Sequence, residues 1–160
     1  MEFRIGNGFD VHKLINGDSI ILCGVKIPHD KALSGHSDAD VGYHSICDAL
    51  YGALSKGDIG THFPATSKKW ENANSTIFLK HAYSLVNNLE YKIMNIDTTF
   101  ICERPKISNY CTQMKTNIAA ILKIDISRIS IKATTTEGLG FCGREEGIAC
   151  LTTVGLFRNE

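Results

Sequence analysis

Residues 34–57, SGHSDADVGYHSICDALYGALSKG, mark the point where the chain changes its period. Before them, residues 2–9 and 19–27 (SIILCGVKI) are rich in β-formers, and the second run ends at Pro28, so two early strands are expected. From Ser37 the spacing becomes helical. Val41, Cys47, Leu50 and Leu54 share one side of a helix that runs to about Lys56 and stops at Gly57. Ser37 reads as its N-cap, with Asp38 and Asp40 in the first turn, where carboxylates favour the free amides and the helix dipole.

Working outward, Phe78, Ala82, Leu85 and Leu89 keep a helical interval after Asn74, and YKIMNIDTTFIC (91–102) reads as a strand. RPK (104–106) breaks it. Ile107, Cys111, Met114, Ile118 and Ile121 mark a third helix, and two closing strands, 128–135 and 148–158, alternate as half-buried sheet does. The expected fold is α/β (α+β): a single domain over residues 1–160, with a mixed four-stranded sheet, helices packed on one face and a small β-hairpin.

Seventeen basic residues balance seventeen acidic ones in the 160, so no general field favours nucleic acid or a membrane surface, and any anion must be bound locally. The start, MEFRIGNGFDVHKL, has no basic region followed by an apolar run, and no 18-residue apolar segment occurs, so a soluble cytoplasmic protein is expected. The six cysteines form no Cys-x-x-Cys pair and sit in apolar patterns, which suits buried reduced thiols rather than disulfides.

In GFDVH (8–12), Asp10 and His12 are two apart on a strand and project from one face, a two-ligand clip for an ion such as zinc. A hydrogen-bonded strand end has the same spacing. The third ligand must come from elsewhere, and the opening stretch supplies His36, before the helix, and His44, within it. His44 is favoured, with Asp48 four residues on to orient its imidazole. His29, His62 and His81 have no such partner spacing and read as surface residues.

Two glycine-punctuated stretches remain. SKGDIGTHFP (55–64) suits an ordinary turn and gains interest only beside a metal. In KATTTEGLGFCGREEG (132–147), Gly138, Gly140 and Gly143 satisfy G-x-G-x-x-G, yet only seventeen residues follow and they look like a strand, so a dinucleotide site is excluded. Its threonine hydroxyls and backbone amides, Glu137 and Arg144 suit a phosphate cradle with a hard cation, although a polar hairpin with Arg144 paired to Glu145 or Glu146 also fits. At RPK, amides at a helix start and Lys106 suit phosphate, and a plain helix opening suits the same residues.

Together, GFDVH, HSDADVGYHSICDAL, GDIGTHFP, RPK and KATTTEGLGFCGREEGIA resemble the 2-C-methyl-D-erythritol 2,4-cyclodiphosphate synthases of non-mevalonate isoprenoid synthesis, in order and over nearly the whole chain. The resemblance implies one zinc per subunit on Asp10, His12 and His44, and magnesium or manganese on Glu137 between substrate phosphates. It implies catalytic hydrogen bonds from His36 and Thr135, and substrate contacts at Asp10, Val11, His12, His36, Ser37, Asp58, Ile59, Gly60, Phe63, Pro64, Ala65, Thr66, Ser67, Phe141 and Arg144. The cytidine nucleotide would meet Cys102, Glu103, Arg104, Pro105, Lys106, Ile107 and Ser108, and Ala133, Thr134, Thr135, Thr136 and Glu137. It further implies a homotrimer with sites between subunits, and conversion of 4-diphosphocytidyl-2-C-methyl-D-erythritol 2-phosphate to the cyclic diphosphate and CMP.

One departure stands out. Where the family usually reads Phe-Pro-Asp-x-Asp, this chain has Ala65 and Ser67 in place of the carboxylates. Two rivals use the same residues: a zinc phosphohydrolase with metal-bound water as nucleophile, and a trimeric module whose metal is structural.

Overall fold

The computed structural model describes residues 1–159, so only the last position of the expected 1–160 domain lies outside the described residues. The strands are β1 (Glu2–Asn16), β2 (Ser19–Leu22), β3 (Val25–Pro28), β4 (Lys31–Leu33), β5 (Lys92–Ile101), β6 (Ile129–Thr134) and β7 (Gly147–Arg158). The helices are α1 (Val41–Ala53), α2 (Ile59–His62), α3 (Thr76–Asn88), α4 (Cys111–Leu122) and α5 (Gly140–Gly143). The main sheet has the order β4-β1-β7-β5-β6, with β5 and β6 parallel and the other pairs antiparallel.

The α/β class, the mixed sheet and the hairpin are as expected, but the sheet has five strands rather than four. The fifth is the three-residue β4, too short to show a period, paired to the end of β1 at Leu14, Ile15 and Asn16. The 19–27 run is itself the hairpin: it folds at Cys23 and Gly24, both at positive φ, so β2 pairs with β3 in a separate two-stranded sheet. The third helix begins at Cys111, with Ile107–Asn109 forming a separate 3-10 turn.

β1 decides how the layers meet. Its inward residues alternate as Gly6, Gly8, Asp10, His12 and Leu14, while Phe3, Ile5, Phe9 and Val11 face out and are exposed. A Cβ on Gly6 would stand 2.0 Å from the Ala49 carbonyl oxygen, and one on Gly8 1.9 Å from that of Ser45. The two glycines therefore let the α1 backbone rest directly on the strand. Ile46, Leu50, Leu79, Val86, Ile96, Phe100, Met114, Ile118 and Val154 fill one core shared by sheet and helices.

The start of α1 differs from the sequence reading. Asp40, not Ser37, is the N-cap: Ala39 takes a left-handed φ of 56, which delays the helix to Val41. The wholly buried Asp40 carboxylate accepts from Tyr43 N (3.0 Å), Cys23 N (2.8 Å) and Gly24 N (2.7 Å), tying the helix start to the hairpin. Burial pushes its pKa up to about 6 against the pull of those three donors.

Candidate metal centre and nucleotide cleft

With α1 seated on Gly6 and Gly8, His44 comes to lie over the next inward residues of β1, Asp10 and His12. His12 Nε2 is 2.9 Å from Asp10 Oδ2, His44 Nδ1 is 3.1 Å from the same oxygen, and the two ring nitrogens are 3.0 Å apart. A tetrahedral ion with bonds of ~2.0–2.1 Å has ligand–ligand edges of about 3.3 Å, so the triangle needs to open by only tenths of an ångström to accept one. Among the described residues this is the single group of three or more His, Cys, Asp or Glu side chains close enough to hold a metal.

The three groups are also coupled electrostatically. Burial works to raise the Asp10 pKa, but hydrogen bonds and charge from His12 and His44 outweigh it and leave the carboxyl well below its usual range. His12 is pulled down by burial and up more strongly by Asp10, with help from the Ser34 carbonyl, for a net upward shift.

Outer contacts fix both imidazoles. His12 Nδ1 lies 2.7 Å from the Ser34 carbonyl oxygen, so it donates there and leaves Nε2 for the metal. His44 Nε2 lies 2.8 Å from Ser75 Oγ and 3.1 Å from Ser37 Oγ, and Ser75 Oγ in turn donates a short bond to Asp38 Oδ1. Asp48, expected to orient His44, instead accepts from Ile59 N at 2.8 Å. Its place on the helix face was read correctly, but its carboxylate holds the loop rather than the ring.

That bond ties the 58–67 segment to α1 one turn after His44. Asp58 caps α2, accepting from Thr61 N and Thr61 Oγ1 at 2.8 Å each, and Ile59 and Gly60 follow in the turn. Phe63 packs on Phe78 with ring centroids 4.6 Å apart, and Phe78 lies 5.9 Å from the His44 ring. Pro64, Ala65 and Thr66 are exposed beyond it, with Ser67 N donating to the Pro64 carbonyl at 3.0 Å. His36 is exposed, and its carbonyl accepts from Asn72 N at 2.7 Å.

The other histidines are not ordinary surface residues. His62 stacks on Tyr51 at 4.4 Å, His81 Nδ1 lies 2.8 Å from the Tyr51 hydroxyl, and the His29 side chain is 3% exposed. Tertiary packing of α1, α2 and α3 made the His62 and His81 sites, which no local spacing records, whereas His29 meets its neighbours Asp30 and Lys31.

A second feature is a cleft of about 490 Å³ lined by Cys102, Glu103, Pro105, Lys106, Ile107 and Ser108 on one side and Ala133, Thr134 and Thr135 on the other. The parallel pairing of β5 with β6 places these segments together, and Cys102 N continues the ladder to the Thr134 carbonyl at 3.1 Å. Burial pushes the Cys102 thiol up to about 12, so it is neutral and unreactive.

Thr136 and Glu137 stand outside the lining: Thr136 N donates to Glu103 Oε1 at 3.0 Å, and Glu137 is exposed at a φ of 55. Arg104 turns its guanidinium away from the cleft toward Glu145 and Asp30. The G-x-G-x-x-G stretch forms the short α5 rather than a hairpin, with Phe141 partly exposed and Arg144 forked onto Glu146 at 2.9 and 3.2 Å. Val11 lies on the outer face of β1, away from the triad side.

Three side chains of metal-ligating type close enough to share an ion, on a sheet-and-helix frame with a separate cleft, define an α/β domain with a candidate metal site. The chain belongs to the YgbB family, whose model matches residues 3–157. It is 54% identical over 158 residues to a 2-C-methyl-D-erythritol 2,4-cyclodiphosphate synthase of Roseobacter denitrificans, covering 99% of both chains. It is equally 54% identical to the bifunctional enzyme IspD/IspF of Paracoccus denitrificans, covering 99% of this chain but 42% of that protein. The chain thus spans well under half the length of the bifunctional relatives it matches. Among solved structures, IspF of Plasmodium falciparum in complex with CDP superposes with a TM-score of 0.88 at 40% identity, covering 99% of this chain and 97% of that one.

Among the described residues no helix is long and apolar enough to cross a membrane, and all six cysteines are free.

Proposed function

We propose that residues 1–160 act as one cyclodiphosphate synthase domain, a phosphorus–oxygen lyase of the cytoplasm. It converts 4-diphosphocytidyl-2-C-methyl-D-erythritol 2-phosphate to 2-C-methyl-D-erythritol 2,4-cyclodiphosphate and CMP. The observation that carries this reading is the pairing of a three-ligand metal triad with a distinct cleft at the two segments expected to meet a cytidine nucleotide.

Asp10, His12 and His44 would hold zinc, and Glu137 magnesium or manganese. When bound, these ions supply positive charge that polarises phosphoryl groups and offsets the charge gathered in the transition state. The chain itself holds and folds the substrate. An oxygen of the 2-phosphate attacks the β-phosphorus, and the oxygen bridging to the α-phosphorus leaves with CMP. The nucleophile is already an anion, so no general base is needed, and holding the two phosphates in line can contribute ~7–11 kcal/mol at best. His36 and Ser37 bind phosphate from the loop before α1, His36 and Thr135 donate hydrogen bonds to the transferring group, and Asp58–Gly60 face the methylerythritol.

The resemblance carries the homotrimer with sites between subunits, and the exposed row of Phe3, Ile5, Phe9 and Val11 on β1, with Leu151 on β7, supplies an apolar surface for contact between copies. The test is CMP release with the cyclic product identified by phosphorus NMR, repeated on Asp10→Asn and His44→Ala. Normal turnover in both variants, or release of inorganic phosphate instead of CMP, overturns the reading.

A further inference from the structure

Arg104 follows Glu103 and precedes Pro105, both of which line the cleft, yet its side chain leaves it. Arg104 Nε donates to both Glu145 carboxylate oxygens, at 3.2 and 3.1 Å, and Nη2 reaches Glu145 Oε2 at 2.6 Å. The same Nη2 donates to Asp30 Oδ1 and Oδ2 at 3.2 and 3.3 Å. Lys31 Nζ adds a 2.9 Å bond to the Glu145 carbonyl. One guanidinium thus joins three segments distant in the chain: the turn before β4, the cleft loop after β5 and the loop before β7.

Glu145 is one of eight described non-glycine residues at positive φ. It follows Arg144, the C-cap of α5, at a φ of 53, a left-handed conformation that glycine adopts freely and side chains disfavour. The loop does not lack glycines, since Gly143 and Gly147 flank the site. What sets Glu145 apart is its carboxylate, both of whose oxygens accept from Arg104.

We propose that Arg104 is a positioning residue for nucleotide recognition: clamped by Glu145 and Asp30, it fixes the 102–108 loop in its ligand-ready shape and couples the cleft to the loop bearing Phe141 and Arg144. The inference rests on the cyclodiphosphate synthase reading above. Pairs this exposed add little to global stability. Their effect falls on binding, because a freed loop must be ordered when the nucleotide arrives.

The test measures CDP affinity by calorimetry, KM and kcat, and melting temperature for Arg104→Ala, Arg104→Lys, Glu145→Gly and the double variant Arg104→Ala/Glu145→Gly. Each single loss of the clamp weakens CDP binding and raises KM by ~3–10-fold, as expected for ordering side chains on binding, with kcat falling proportionally less. The double variant is no worse than either single one, Arg104→Lys recovers part of the affinity, and Glu145→Gly melts no lower than wild type. CDP affinities equal to wild type, or single losses that multiply in the double variant, overturn the clamp. Loss in Arg104→Ala with none in Glu145→Gly also overturns it, since the arginine would then touch the nucleotide itself. Wild-type protein that binds CDP but does not turn over the substrate removes the function reading and leaves the clamp to be judged from affinity. Wild-type protein that binds no CDP removes both.

Discussion

Replacing Ser75 by alanine tests how the metal triad is held. Ser75 is wholly buried, with Oγ 2.8 Å from His44 Nε2, and it donates a short bond to Asp38. For His44 Nδ1 to offer a lone pair beside Asp10 and His12, the proton must sit on Nε2 and be donated to Ser75. Asp38 sets the direction of this chain because an ionised carboxylate only accepts. Ser75→Ala leaves Ser37 Oγ, at 3.1 Å, as the acceptor for that proton, while Asp38 keeps its backbone donors Ser75 N (3.0 Å) and Asp40 N (3.3 Å). One buried bond to a charged group and one that fixes a tautomer are lost, about 2–4 kcal/mol in total. Because the tautomer is what the metal reads, zinc affinity should fall ~10–100-fold. Competition with a chromophoric chelator at neutral pH measures it, with thermal unfolding recorded in parallel. A folded variant that binds zinc within about twofold of wild type refutes the assignment, because other outer contacts of this kind are worth at least tenfold.

Metal affinity should rise, and metal-free stability fall, as pH increases from about 6 to 8. The sign follows from the net upward shift of His12: the stability from its ion pair with Asp10 is fully present below the ordinary histidine value of 6.5 and lost as pH rises through the raised one, while the metal must displace that proton. Zinc titrations that do not vary with pH contradict this. Gly8→Ala places a Cβ 1.9 Å from the Ser45 carbonyl oxygen, so α1 must lift from β1 and carry His44 away. Urea unfolding should show a loss at or beyond the top of the ~1–3 kcal/mol overpacking range, with metal binding lost as well, and an unchanged midpoint refutes it. Ala65→Asp places a carboxylate where the resemblance leads one to expect it. Steady-state kinetics should show retained turnover with altered KM, and no change in KM or kcat means that the position is silent here.

Periodicity made much of this fold legible. Alternation in 148–158 and 128–135 and the helical spacing of Phe78, Ala82, Leu85 and Leu89 gave elements found within a few residues of their expected bounds. Parity on β1 placed Asp10 and His12 on one face, and His44, favoured over His36 as their partner, is the histidine that the fold brings within reach of both. A further signal went unread: Gly6 and Gly8 share that same inward parity, and a smooth inward patch next to two ligands marks where a helix can approach.

The sequence by itself determined which residues face in, which carry metal-type donors, and where strands give way to helices, because those depend on side-chain type and on spacings of two and 3.6 along one segment. Only the tertiary structure decided that Asp40 rather than Ser37 caps α1, that Ser75 rather than Asp48 supports His44, and that Arg104 leaves the cleft for Glu145. Each of those choices depends on the backbone turn at Ala39 or on partners 31 and 41 residues away, brought within hydrogen-bond reach by the packing of helices on the sheet.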